Sequence, residues 1–275
     1  MGSLTKRLLV AVPAIVILIA ATFWEQQFLF KFIAVCSLGL ALLEFLTLAD
    51  RGKMKTLRIE GLLALGFVLL PWVLRPMVSW EGKGTLLVGL WILTLSFLCS
   101  NRPLKEMVTS VSVTFFGVSY FGLLGVYFFR LRELPGGAWH LLWVFIATWA
   151  YDTGGYFAGN LWGRHKLAPL ASPKKTWEGC IGGFVLVIVG LFLLWKGMNY
   201  FGVPNPYSLT DILVLSLLLS FFAQVGDLVE SVIKRSLSAK DSGSFFPGHG
   251  GVFDRIDSLL FNAPVLFYYL IEFKQ

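Results

Sequence analysis

Long apolar runs broken by short polar blocks cover the chain from one end to the other. A helix that crosses a bilayer needs about 20 predominantly apolar residues. About nine stretches approach or reach that length, at roughly 8–24, 28–49, 59–75, 85–100, 107–129, 138–158, 180–197, 210–231 and 256–273. Pro13 and Pro71 fall inside two of them, which membrane helices tolerate. The pattern predicts an all-α, polytopic integral membrane protein with about nine transmembrane helices. Lys6 and Arg7 precede the first run as they would in a signal peptide, but Phe23-Trp24 stand where small cleavage-site residues belong, so an uncleaved first span is expected.

Composition agrees with that reading. Hydrophobic residues make up 56% of the 275 and charged residues 14%, against about 25% charged in soluble domains. Mean hydropathy is +0.74. The net charge of +7 is therefore placed by the membrane, and no nucleic-acid partner is expected. With the N-terminus in the cytoplasm, 16 of the 23 Lys and Arg residues fall in cytoplasmic loops and the C-terminus lies outside. Cys36, Cys99 and Cys180 are far apart, each in an apolar run, and read as packing residues. Trp24, Trp72, Trp80, Trp139, Tyr200 and Tyr207 sit near span ends, as interfacial aromatics do.

Polar residues are rare inside the spans of the first 135 positions, Glu44 being an exception, and more frequent afterwards. The chain is divided there: 1–135 as N-terminal transmembrane helices, 136–275 as a catalytic transmembrane region with cytoplasmic polar loops. Two polar blocks carry candidate chemistry. In the first, 151–179, Asp152 lies in or near a span, where an ionisable group points to function. Gly154, Gly155 and Gly159 allow a helix or a ligand to approach closely. Ser172 to Gly179 reads as a helix start with a Ser or Thr cap and an early Pro. Its lysines suit a phosphate, or else are plain positive-inside charge.

The second block runs from Gln224 to Asp257. Gln224, Asp227, Glu230 and Lys234 are spaced by three, three and four, so they share one helix face. Lys234, Arg235 and Lys240 follow, then the glycine-rich run around His249, then Asp254, Arg255 and Asp257. Carboxylates from two helices flanked by cations suit Mg2+, which takes one or two carboxylates together with substrate phosphates. The Lys and Arg side chains would take the remaining phosphate charge. A network of helix-end salt bridges is the alternative. His249 reads either as a substrate or phosphate contact or as a loop-fixing hydrogen bond.

Ser231, Ile233-Lys234-Arg235, Lys240-Asp241, Gly243, Phe246-Pro247, His249-Gly250-Gly251-Val252 and Asp254-Arg255-Ile256-Asp257 together resemble the signature of the phosphatidate cytidylyltransferase (CDP-diacylglycerol synthase) family. Ser172 to Gly179 is similar to a second segment of that family. The resemblance covers roughly 150–257 and is only one of hydropathy over the first 135 residues. It implies a reaction in which CTP and phosphatidic acid give CDP-diacylglycerol and pyrophosphate, with Mg2+ and room for a second cation.

On this reading Asp227 and Asp254 hold metal, and Asp257 is a further ligand or orients a neighbour. Lys234, Arg235, Lys240 and Arg255 contact phosphates, and His249 is a further candidate. Lys174, Lys175 and Thr176 line the other wall, while Asp152 joins the metal cluster or a lysine. Gly250 and Gly251 let backbone approach a phosphate. A homodimer in a bacterial inner membrane, with its active site on the cytoplasmic side, is what the resemblance and the compact chain suggest. Two other readings are a CTP-dependent lipid kinase, separable by its products, and a transporter using Glu44, Asp152 and Asp227. Transporters often show internal repeats, and none is visible here.

Overall fold

The computed structural model describes residues 3–75, 84–245 and 250–274, with side chains from residue 12 onward. Among the described residues there are nine α-helices: α1 (Ser3–Phe23), α2 (Phe28–Arg51), α3 (Arg58–Val73), α4 (Thr85–Leu98), α5 (Met107–Glu133), α6 (Gly137–Trp162), α7 (Trp177–Tyr200), α8 (Leu209–Ser236) and α9 (Phe253–Phe273). Each contains one of the apolar runs, because uninterrupted apolar sequence satisfies its backbone within the helix itself. Five helical stretches are long and apolar enough to cross a membrane: Phe28–Arg51, Leu104–Glu133, Trp177–Tyr200, Leu209–Ser236 and Phe253–Phe273. Val12–Phe23 and Thr85–Leu98 are shorter apolar helices.

One departure from an all-helical chain lies between α6 and α7. Strands β1 (Lys166–Ala168) and β2 (Ser172–Thr176) pair antiparallel. The helix expected to begin near Ser172 begins instead at Trp177. Thr176 is its N-cap, accepting from the Gly179 N–H at 3.1 Å. Pro173 thus sits in a short strand, where its fixed φ is equally at home.

The chain forms two compact units. The first comprises residues 1–130 and 234–255, so the C-terminal end of α8, the loop after it and the first residues of α9 belong with α1–α5. Its core is aromatic: Phe121 meets Phe253 edge-on at 5.0 Å between ring centroids and Phe45 at 6.3 Å. Lys31 is buried on α2 and donates to the carbonyls of Trp72, Val73 and Arg75, where α3 ends. An ammonium there satisfies orphan carbonyls and the negative end of the helix dipole. Asp50 closes the turn into α3, accepting from the Thr56 N–H at 2.8 Å and from Arg58 at 2.7 Å.

The second unit comprises residues 131–233 and 256–275. Here α6 and α7 pack backbone to backbone through glycines. A Cβ on Gly154 would strike the Gly182 carbonyl, and one on Gly183 would meet the Tyr151 ring at 2.7 Å. The expectation that these glycines admit a helix or a ligand is thereby resolved at Gly154 in favour of a helix. At the start of α8, Asp211 accepts from the Ser208 N–H and hydroxyl at 2.6 Å each, from Lys274 at 2.5 Å and from Tyr269. Burial, and then the Asp211 charge, push the neighbouring Tyr207 phenol well above its usual range. It therefore stays protonated and donates to His140 Nδ1 at 2.7 Å, while His140 Nε2–H donates to the Pro135 carbonyl at 3.0 Å.

Replacing Gly154 with Leu should force α6 and α7 apart, since the obstacle is backbone rather than a movable side chain. The expected cost is at least about 1–3 kcal/mol, typical of overpacking. It should appear as a lower midpoint of thermal unfolding in detergent, whereas Gly197→Ala, at a position with open space around it, should leave the midpoint unchanged.

Candidate functional site

Within the second unit, three carboxylates converge. Asp227 and Glu230 lie one turn apart on α8, and Asp257 lies in the second turn of α9. Each offers an oxygen, and the three oxygens lie within 4.8 Å of one another. Two features hold the helices together here. Gly226 has no side chain, and a Cβ would meet the Asp257 carbonyl at 2.8 Å and Ser258 Cα at 3.0 Å. Ser258 donates its hydroxyl to the Ala223 carbonyl at 3.0 Å. The close approach sets Asp227 and Asp257 side by side.

Lys175 of β2 extends to this cluster, with its Nζ 2.6 Å from Asp227 Oδ2 in an ion-pair contact. Asp257 Oδ1 accepts the Ser258 N–H at 2.7 Å, and Ser231 donates weakly to Asp227 at 3.4 Å. Asp152 on α6 lies within electrostatic reach of Asp257. Lys175 is the cation set against Asp227 in this trio. An all-oxygen donor set of carboxylates suits a hard divalent cation such as Mg2+. Beside it, Gln224 Oε1 accepts from Tyr151 OH at 2.9 Å and from Cys180 Sγ at 3.3 Å, joining α6, α7 and α8.

Within the first unit, Asp254, expected as a metal ligand, pairs with a lysine as Asp227 does. Lys234 Nζ donates to its Oδ1 at 2.7 Å. Its Oδ2 accepts from the N–H groups of Ser242 at 3.0 Å and Gly251 at 2.8 Å. Its side chain is 7% exposed. Asp254 therefore fastens the loop between α8 and α9, and Lys234 neutralises it.

The space a Cβ would need is filled at Gly250 by Asp254 and at Gly251 by Glu44 and Ser242. Gly250 also has φ +83°, a conformation that favours glycine. What approaches these two backbones closely is thus a carboxylate of the chain itself, where a substrate phosphate was expected.

A cavity of about 500 Å3 lies beside this loop, within the range of small-molecule sites of about 300–1,000 Å3. Arg51 of α2, Lys240 and Asp241 line it together with Leu48 and Leu237. Arg235 donates to the Ala239 carbonyl at 3.1 Å and so braces the first turn of the loop. Arg255 and Lys174 are exposed. His249 lies outside the described residues.

Two contributors were not assigned from the sequence. Glu230 was visible there as part of the polar stripe of α8, and its three-residue spacing from Asp227 was the available clue. Arg51 had been counted among loop cations, and nothing in the linear chain places it beside Lys240.

Comparison with known proteins bears on the whole chain. The model of the cytidylyltransferase family matches residues 5–273. The phosphatidate cytidylyltransferase of Staphylococcus haemolyticus (strain JCSC1435) is 35% identical over 238 residues, 85% of this chain and 87% of that protein. Its counterparts in Staphylococcus epidermidis (strain ATCC 35984) and Staphylococcus aureus (strain COL) are each 36% identical, over 240 and 238 residues, with the same coverage. A family match that leaves out only the extreme termini, joined to relatives aligned along most of their length, shows that the chain belongs to the cytidylyltransferase family.

Proposed function

We infer that the protein is a membrane-embedded phosphatidate cytidylyltransferase: it transfers the cytidylyl group of CTP to phosphatidic acid, giving CDP-diacylglycerol and pyrophosphate. The observation that carries the mechanistic reading is the cluster of Asp227, Glu230 and Asp257 with Lys175 against it.

A phosphate monoester has a second pKa near 6, so the lipid phosphate is largely dianionic near neutral pH and needs no dedicated base. Its oxygen attacks the α-phosphorus of CTP. The bond from that phosphorus to the bridging oxygen breaks, and pyrophosphate leaves with the electron pair. The chain's task is to place two polyanions together and offset their charge.

Asp227, Glu230 and Asp257 would hold Mg2+, which when bound supplies charge neutralisation at the reacting phosphates. Lys175 balances the carboxylates and offers its ammonium to a phosphate oxygen. Within the first unit, the cavity lined by Arg51 and Lys240 is a candidate anion site, with a point charge from Lys and a forked donor from Arg suited to a phosphate of CTP. Lys234 and Asp254 shape that loop. Lys174, Arg235 and Arg255 remain candidates for the outer approach of anionic substrates. The bulk of positive loop charge supports an active site facing the cytoplasm, and the bacterial relatives support the inner membrane. A homodimer is part of the same proposal.

Three measurements test this. Purified protein given CTP and phosphatidic acid in mixed micelles should release pyrophosphate and CDP-lipid; phosphorylated lipid with CDP would instead mark a lipid kinase. Asp227→Asn, Glu230→Gln and Asp257→Asn should each lower kcat by roughly a hundredfold or more, the scale of losing one electrostatic group in an active site. Full activity in all three would remove the cluster from the mechanism. Chelation with EDTA should abolish turnover, and excess Mg2+ should restore it where Ca2+, with its looser geometry, should not.

A further inference from the structure

Glu44 is the acid that the apolar pattern of α2 leaves unexplained. Its carboxylate is bound on every side by the α8–α9 loop of the same unit. Oε1 accepts the Val252 N–H at 3.0 Å, and Oε2 accepts the Phe253 N–H at 2.9 Å. These are orphan donors at the start of α9, where a carboxylate also meets the positive end of the helix. The Ser242 hydroxyl lies 2.8 Å from Glu44 Oε2 and 3.0 Å from Asp254 Oδ2, so its one proton links Glu44 to the Asp254–Lys234 pair.

Two glycines close around the same carboxylate. A Cβ on Gly243 would sit 2.5 Å from Glu44 Oε1, and one on Gly251 would overlap Oε2. The loop therefore has a pocket shaped for a carboxylate, formed where glycine replaces any larger residue on both sides.

The consequence lies one and two turns further along α2. Leu48 and Arg51 follow Glu44 at four and seven residues, on the same helix face. Both line the cavity whose other wall is the loop from Leu237 to Ser244. Glu44 thus fixes the loop that presents Lys240 against the helix that presents Arg51.

We propose that Glu44 is a positioning residue for the nucleotide: by clamping Ser242, Val252 and Phe253 it sets the spacing between Lys240 and Arg51, and so the affinity for CTP. This rests on the cytidylyltransferase reading above. It also gives the N-terminal helices a part in catalysis beyond anchoring the enzyme.

The test is steady-state kinetics on the full chain in mixed micelles, titrating CTP at saturating phosphatidic acid and the reverse. Glu44→Gln keeps size and shape but turns an amide N–H2 towards backbone donors. It is expected to raise KM for CTP about tenfold, the scale of one charge-assisted hydrogen bond, while KM for phosphatidic acid changes less than about twofold. Ser242→Ala removes one of the three donors, leaves the backbone pair in place, and should shift KM for CTP in the same direction by a smaller factor.

A structural role alone would lower kcat in step with the folded fraction, read from thermal unfolding of the same samples, and leave KM for CTP in place. That result, or wild-type KM for CTP in both variants, overturns the proposal. If Glu44→Gln does not accumulate as folded protein, Ser242→Ala decides alone by the same criterion. A wild-type enzyme that forms no CDP-lipid would instead mean that the parent reading has failed.

Discussion

A carboxylate beside the apolar core of a membrane protein persists only if something compensates it. Burying an unpaired charge costs several kcal/mol or more, so such groups acquire donors, a cation, or a proton. The described acids of this chain meet that constraint in two ways. Glu44, Asp50, Asp211 and Asp254 are wrapped by donors from nearby loops and helix starts. Asp50, Asp211 and Asp254 each also hold an Arg or Lys. These contacts tie the four acids to neighbouring backbone. Asp227, Glu230 and Asp257 stand within reach of one another with Lys175 against one of them. Mutual repulsion there is relieved by a shared cation or by a proton, and that is what makes this cluster a candidate cation site.

Bringing charged groups from separate helices so close requires that the helices touch, and glycine supplies the means. At Gly226 a missing side chain lets α8 and α9 meet beside the acid cluster, and the same device joins α6 to α7 at Gly154 and Gly183. Without a hydrophobic driving force between helices in lipid, small residues and interhelical hydrogen bonds carry association. The Ser258 hydroxyl on the Ala223 carbonyl and the Asn262 amide on Thr148 are bonds of that kind. Packing and site geometry in the second unit thus share their causes.

Much of this was legible in the linear chain. The helices were, because a run of apolar residues defines a helix without reference to neighbours. Asp227 and Asp257 were, because ionisable groups at the ends of apolar spans are costly enough to need a reason. The partners were not. The Lys175–Asp227 ion pair and the grip of Glu44 on Val252 and Phe253 join positions far apart in sequence, and no local spacing encodes them. Asp254 and its neighbour three residues on are both acids at a helix start, and the spacing does not encode the donors that Ser242 and Gly251 bring to Asp254. The β1–β2 hairpin escaped notice because strands of three and five residues leave too little pattern. A Ser-Pro pair also suits a helix start as well as it suits a strand.

The histidines bring the chemistry back to the substrate. His140 is buried and spends both ring nitrogens, one on Tyr207 and one on the Pro135 carbonyl. His165 meets Glu178 at 2.6 Å, where the carboxylate also accepts the His165 N–H and so tethers the hairpin to the start of α7. Among the described residues, then, neither imidazole is placed to serve as a general base for a nucleophile. Phosphatidic acid removes the need for one, because its phosphate arrives already ionised. Transfer to an alcohol would add the task of removing a proton, which transfer to an ionised phosphate does not have. The described groups around Asp227, Glu230 and Asp257 include Lys175, Ser231, a backbone N–H and, within electrostatic reach, Asp152. Lys175 and the carboxylates together supply charge and position, and transfer to a phosphate that is already ionised asks for nothing more.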